Sequence, residues 1–320
     1  MRHGWISAED VRRLTPMADL IAAIEQAFVS PPLSPRRSVH TISDGHGTNG
    51  HLLLMPAWRE GGRIGIKILT VLPWLGVLGK PAIQASYVVS DAASGELLAI
   101  MDGAAITARR TAATSALASK YLSRQGSRTL LVVGAGALAH PLIEAHGAVR
   151  ILDRVLVWAR RPERAQTIVD AAKVAGIKAA VAPALETAVR EADIVSCATA
   201  SHEPLIRREW LSPGTHLDLI GAYTPQMCEV DAASVAAAAV FVDDQEAARH
   251  EAGDLLKAEA AGAFRLDSIV ATLRELVTKQ SQGRSDDHAI TLFKSVGLAL
   301  EDLAAAELIL KRLDDDSKVT

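Results

Sequence analysis

Apolar residues recur along this chain with two different periods, and the period changes with position. Near the start, Leu20, Ile24, Ala27 and Phe28 fall on one face of a helix over 19–29, after an earlier helix start at Ser7-Ala-Glu-Asp10. Pro31-Pro-Leu-Ser-Pro35 ends that helix, because proline has no N–H to continue the ladder. Extended apolar segments follow at 52–55, 63–72 and 85–91, and Ser94-Gly95 turns the chain into 97–101. No long helical pattern separates these segments, so they predict a mostly antiparallel or mixed sheet. A long helix is then expected from Asp102 through Ile106, Arg110, Ala113, Leu117 and Tyr121, with Gly126 as its stop. It would bridge one domain to the next.

From Thr129 to about Asp244 the pattern alternates. Short apolar runs at 130–133, 155–158, 194–198, 216–220 and 240–243 are separated by helical stretches, and the Ala-rich run 232–239 reads as helix. That alternation predicts an α/β fold with a doubly wound parallel sheet. A last helix over about 287–310 would place Ala289, Phe293, Val296, Leu300 and Leu303 on one face and return to the first domain. Residues 314–320 read as a frayed tail. There is no internal repeat.

The first of those runs, Leu130-Leu-Val-Val, feeds Gly134-Ala-Gly-Ala-Leu-Ala139. A strand, a glycine turn and a helix start form a dinucleotide-binding βαβ signature. Gly134 permits the turn, Gly136 allows close approach of a pyrophosphate, and Ala139 permits close helix–strand packing. The helix N-terminus offers free N–H groups to the anion. The next strand ends in Trp158-Ala-Arg-Arg161. An NAD site usually places a carboxylate there for the ribose 2′-OH. Arg160 and Arg161 could instead bind a 2′-phosphate, which favours NADPH over NADH. The alternative is a solvated basic loop at a helix start, and the lack of an acid at the strand end favours the phosphate reading.

Composition narrows the partners. The net charge of −3 gives no basic field for nucleic acid. No apolar run is long enough for a membrane span, and Met1-Arg-His-Gly-Trp lacks a leader's apolar stretch, so the cytoplasm is the simplest compartment. The two cysteines suggest no disulfide framework, and Cys197, inside an apolar run, reads as a small buried hydrophobe.

The chemistry-bearing candidates are few. Lys67 lies among apolar neighbours in Ile64-Gly-Ile-Lys-Ile-Leu, where it needs a partner or a ligand unless it faces solvent. Arg110 stands among small residues on the long helix, where it could reach into a cleft or lie on the surface. Lysine with arginine suits an α-carboxylate substrate. No metal-binding or nucleophile-elbow motif is present.

Taken in order, Leu53-Leu-Met-Pro56, Gly65-Ile-Lys67, Asp102-Gly103, Thr107-Ala-Arg-Arg-Thr-Ala-Ala113, Gly134-Ala-Gly136, Leu219-Ile-Gly-Ala-Tyr-Thr-Pro225 with Glu229, Gly283-Arg284 and Thr291-Leu-Phe-Lys-Ser-Val-Gly297 resemble the ornithine cyclodeaminase/mu-crystallin family over nearly the whole chain. The resemblance implies a Rossmann domain at 119–297. It implies an α+β substrate and dimerisation domain from both chain ends, 1–118 with 298–320, and a homodimer. For the cofactor it implies Gly134, Gly136, Ala137, Leu138, Ala139, Arg160, Arg161, Thr199, Gly221 and Ser295. For the substrate carboxylate it implies Lys67, Arg110 and Arg37, or its neighbour Arg36.

Two positions separate members of the family. The cyclodeaminases are similar to one another in carrying an Asp as acid–base group where this chain has Tyr223. A tyrosine with an ordinary pKa near ~10 is a poor base at neutral pH. Leu138 stands where many members have Gln. Both departures resemble the Δ1-pyrroline-2-carboxylate reductases. The expectation is an NAD(P)H-dependent reduction of cyclic ketimines, Δ1-pyrroline-2-carboxylate to L-proline and also Δ1-piperideine-2-carboxylate to L-pipecolate. Lys67, Arg110 and Tyr223 are its catalytic candidates, with the proton donor open among Tyr223, Lys67 and water. The alternatives are an ornithine cyclodeaminase with a replaced acid–base residue, and a non-catalytic crystallin-like ligand-binding protein.

Overall fold

The computed structural model describes residues 3–80 and 82–319. Met1 and Arg2, part of the N-terminal stretch read for a leader, and Thr320 of the tail lie outside them. The chain divides into two compact units, residues 1–110 with 298–320 and residues 111–297. The division falls between Arg110 and Thr111 rather than after residue 118.

In the first unit β1 (Gly4–Ile6) leads into α1 (Ala8–Leu14), where Ser7 caps the helix by accepting from the Asp10 amide. α2 (Met17–Val29) buries Leu20, Ile24, Ala27 and Phe28, the stripe its spacing predicts. β2 (Ser38–Ser43), β3 (Asn49–Trp58), β4 (Arg63–Val71), the short helix α3 (Pro73–Val77), β5 (Ile83–Asp91) and β6 (Leu97–Asp102) follow. The sheet order is β1-β6-β5-β4-β3-β2, parallel at β1–β6 and antiparallel elsewhere, which makes it mixed.

Strand alternation decides what β4 buries. Its register sets Lys67 opposite Met55 on one side and Tyr87 on the other, with Gly65 opposite Ala57 and Val89. These six residues share one face, and that face is buried. Lys67 is therefore on the core side, not on the solvent side the sequence left open.

α4 (Gly103–Leu122) begins where the Asp102 carboxylate accepts from the Ala105 amide. It does not end at Gly126. The carbonyls of Ser119, Lys120 and Ser123 accept from Arg150, and that of Leu122 accepts from Arg284. Two guanidinium groups thus satisfy the free end that a glycine was expected to close.

The second unit alternates strictly at first. β7 (Thr129–Val133), α5 (Ala139–Val149), β8 (Arg154–Trp158), α6 (Pro162–Val174), β9 (Ala179–Val181), α7 (Leu185–Glu191) and β10 (Ile194–Cys197) succeed one another. β11 (His216–Leu219), α8 (Ala232–Ala236), β12 (Ala239–Val242), α9 (Gln245–Glu251), α10 (Gly253–Ala260), β13 (Ala271–Thr272), α11 (Leu273–Val277) and β14 (Thr291–Lys294) complete it. All pairs are parallel, in the order β13-β12-β14-β11-β10-β7-β8-β9. The winding reverses between β7 and β10. Crevices outside the carboxyl ends of strands at such a reversal are where ligands bind in this architecture.

Three expectations fail here for physical reasons. The last helix does not start near 287: residues 291–294 form β14, buried throughout in the middle of the sheet. A strand buried on both faces carries no alternation, so its apolar residues can be fitted to a helical period instead. Gly297, at φ 82, then turns the chain before α12 (Ala299–Val319). Residues 314–319 belong to that helix and are not a frayed tail. The Ala-rich run is helical only to Ala236, and Ala239 opens β12, because burial in the sheet overrides alanine's helix propensity.

α12 returns to the first unit, where Ala299 and Leu303 pack with Met55 and Ala57. Gly65 gives the Tyr87 ring its place: a Cβ there would lie 1.8 Å from the Tyr87 hydroxyl oxygen. Gly65→Ala is expected to destabilise the protein by about 1–3 kcal/mol through overpacking. Urea unfolding would measure it, and adding Tyr87→Phe should recover part of the loss.

Candidate active site

In the first unit two buried cations meet one carboxylate. Lys67, 1% exposed, approaches Asp302 with Nζ at 3.0 Å from Oδ1 and 2.8 Å from Oδ2. Arg110 donates from Nε to Asp302 Oδ1 at 2.9 Å and from Nη1 to Glu301 Oε2 at 2.5 Å. Both acids sit in the first turn of α12 and are fully buried. Burial lowers the Lys67 ammonium to about 8, the Arg110 charge pushes the same way, and Asp302 opposes them. The two carboxylates hold Arg110 well above its ordinary value against its own desolvation.

The neighbouring arginines differ in their surroundings. Arg109 is buried too, but it donates to the carbonyl and hydroxyl of Thr15 at the end of α1. Neither helix arginine is therefore a surface residue. Arg37 is half-buried and its charge is felt at Lys67, whereas Arg36 is exposed.

In the second unit the glycine turn takes the form a dinucleotide requires. Gly134 has φ 118, and a Cβ there would lie 2.6 Å from the Ala198 carbonyl oxygen. Gly136 and Ala137 are exposed, and nothing lies within 4 Å of a Cβ placed at Gly136. Leu138 is the N-cap of α5, no side chain caps that end, and Ala139 is buried. An open glycine bend before an uncapped helix start fits a pyrophosphate. Arg160 and Arg161 are exposed directly after β8, with Arg161 at the N-cap of α6.

Thr199 and Gly221 follow β10 and β11, and a residue the sequence singled out only as part of a motif joins them. The buried Glu229 carboxylate accepts from the Thr199 amide at 2.7 Å and its hydroxyl at 2.9 Å. It also accepts from the amides of Gly221 at 2.8 Å and Ala222 at 3.2 Å. Tyr223 is half-buried in the loop that continues from there. Ser295 is buried and donates to Asp243, which also accepts from the amides of Val296 and Gly297. Among the described residues no group of His, Cys, Asp or Glu is placed to hold a metal ion.

Sequence reasoning missed Asp302, Glu301, Asp254 and Asp243. Glu301 and Asp302 lie off the apolar stripe of the last helix, where a period-based reading places them toward solvent, yet both are buried. The start of α12 is covered on every side, so the burial of the pair follows from tertiary packing rather than from the helical period.

The sequence profile of the ornithine cyclodeaminase/mu-crystallin family matches residues 2–317. A Delta(1)-pyrroline-2-carboxylate reductase of Paracoccus denitrificans is 38% identical over 296 residues, covering 92% of each chain. A solved Delta(1)-pyrroline-2-carboxylate reductase of Thermococcus litoralis, in complex with NADH and L-proline, superposes with a TM-score of 0.92 at 30% identity and covers 98% of both chains. A solved archaeal alanine dehydrogenase dimer with bound NAD superposes with a TM-score of 0.89 at 30% identity, covering 98% of this chain and 96% of its own.

The depressed Lys67 value carries a sign for stability. Unfolding returns the amine to 10.5, so between pH 8 and 10.5 the unfolded chain binds more protons than the folded one. Below pH 8 the cost of the buried charge is constant, and it is relieved as pH rises through the window. The stability of the wild type relative to Lys67→Met is expected to rise across that window and stay flat below it, as read by chemical unfolding at a series of pH values.

Proposed function

We propose that this chain, which belongs to the ornithine cyclodeaminase/mu-crystallin family, is an NAD(P)H-dependent reductase of cyclic ketimines. Its substrate would be Δ1-pyrroline-2-carboxylate, giving L-proline, with the six-membered Δ1-piperideine-2-carboxylate as a second substrate. The observation that carries the reading is similarity along nearly the entire chain to reductases of that name, one of them solved with NADH and L-proline.

The residues supply matching roles. Gly134, Gly136, Ala137, Leu138 and Ala139 would hold the pyrophosphate, with Thr199, Gly221 and Ser295 as further parts of the dinucleotide site. Bound there, the dinucleotide supplies hydride to the imine carbon. Lys67 and Arg110, fixed by Asp302, and Arg37, whose charge is felt at Lys67, would hold the substrate carboxylate through charge-assisted hydrogen bonds. The imine nitrogen must gain a proton. Lys67, with its ammonium lowered to about 8 by burial and the Arg110 charge, can give one up near neutral pH. Tyr223, in place of the cyclodeaminases' Asp, supports reduction over deamination.

A homodimer in the cytoplasm completes the proposal. The first unit exposes Val39, Ile68, Leu78 and Ile83, apolar area of the kind a second copy covers. Among the described residues no helix is long and apolar enough to cross a membrane, and Cys197 and Cys228 are buried and free.

The test is NADPH and NADH oxidation with each cyclic imine, run beside ammonia release from L-ornithine. Reduction without ammonia is expected. Proline formed from ornithine with equimolar ammonia would replace the proposal with a cyclodeaminase. Arg110→Ala should lower kcat/KM for the imine by about 10²-fold or more while leaving dinucleotide affinity nearly intact. A near-wild-type value would remove Arg110 from the carboxylate site.

Cofactor choice has its own test. If Arg160 and Arg161 bind a 2′-phosphate, changing both to Ala should raise the KM for NADPH at least about tenfold and leave that for NADH little changed. Equal losses, or a wild-type preference for NADH, would refute the assignment.

A further inference from the structure

We infer that Glu229 is a positioning residue for the dinucleotide: its carboxylate clasps the two loops that leave β10 and β11 and sets their backbone for cofactor binding. The inference rests on the dinucleotide reading of the second unit and gives Glu229 a role that reading does not contain.

The geometry is that of a tie rather than a local cap. One oxygen, Oε1, takes the amide and hydroxyl of Thr199, and the other, Oε2, takes the amides of Gly221 and Ala222. The two loops follow adjacent parallel strands, where the ladder has ended and their amides need new acceptors. Gly221 lets them close on each other. A Cβ there would lie 2.1 Å from the Thr199 carbonyl oxygen and 2.4 Å from Glu229 Oε1. The clasp is itself anchored. Asp254 Oδ1 accepts from the amides of Glu229 at 2.6 Å and Val230 at 3.1 Å, and its other oxygen pairs with Lys294 Nζ at 2.9 Å. All three side chains are buried.

Four donors on one carboxylate make the ionised form the working one. A protonated carboxyl, or an amide in its place, turns one acceptor into a donor aimed at N–H groups. Burial raises Glu229 to about 7; Lys294 opposes that rise and Asp254 adds to it. Cys197, on β10, also feels the Glu229 charge, and burial keeps that thiol far above neutrality. The clasp should therefore hold above neutral pH and loosen below it.

The experiment is direct binding of NAD+ and NADPH, by calorimetry or nicotinamide-induced fluorescence change, to the full-length wild type and to Glu229→Gln. The variant's Kd at pH 8 is expected to rise about 10-fold or more, the loss of charged hydrogen bonds. Its KM for the imine should change by less than about twofold, a split that general loss of folded protein does not produce. For the wild type, the NAD+ Kd should rise as pH falls from 8 to 6; for Glu229→Gln it should not. Wild type that binds neither dinucleotide overturns the dinucleotide reading and this inference with it. Wild type that binds while Glu229→Gln binds equally well overturns the inference alone. If the variant does not fold, a flat wild-type NAD+ affinity from pH 8 to 6 overturns it instead.

Discussion

Asp302 accepts from Lys67 and Arg110 at a single buried point, and the first unit is organised around making that meeting possible. Two cations without an acid there would carry a desolvation penalty of several kcal/mol each. The acid comes from the opposite end of the chain, 235 residues from Lys67. α12 must therefore lie on the sheet, and Met55, Ala57, Ala299 and Leu303 supply the apolar contact that holds it there. Glu301 adds the second charge that Arg110 needs. The result is a pair of cations with fixed geometry and little freedom left to lose when an anion arrives, which is the condition for orienting a small carboxylate.

The second unit solves a related problem with the same chemical group. Where parallel strands end, their successors' amides lose ladder partners, and a ligand site must keep those segments in place without filling them. Glu229 does this after β10 and β11, and Asp243 does it after β14, accepting from Ser295, Val296 and Gly297. Buried carboxylates fix backbone at the carboxyl ends of the sheet, while the Gly134–Ala139 bend stays open beside the reversal of winding. Rigid loops around an open glycine bend are what pre-organised dinucleotide binding asks of this architecture.

Much of this could be read along the chain, and the failures share a cause. The Gly134-Ala-Gly136 turn, the α2 stripe and the strand alternation are local signals, each set by a spacing of a few residues. Residues 291–294 fit a helical period along the sequence because full burial of β14 erases strand alternation. Glu301 and Asp302 lie off the Leu300–Leu303 stripe and are buried because residues 299–306 of α12 are covered on every side, which no helical period shows. The C-terminus of α4 was misplaced because its cap is made by Arg150 and Arg284, residues far along the chain.

Lys67 shows where the division falls. Its sequence neighbourhood established that an amine lies within an apolar strand and needs a partner or solvent. Local residues also fixed the dinucleotide turn, the α/β alternation and the absence of a carboxylate after β8, because each depends on contacts within one or two adjacent elements. Tertiary structure alone decided that Lys67 faces the core, that it shares Asp302 with Arg110, and that Glu229 joins two loops. Those outcomes depend on sheet register and on helices returning from distant sequence. A charge's partner is chosen by the fold, whereas the need for one is written beside it.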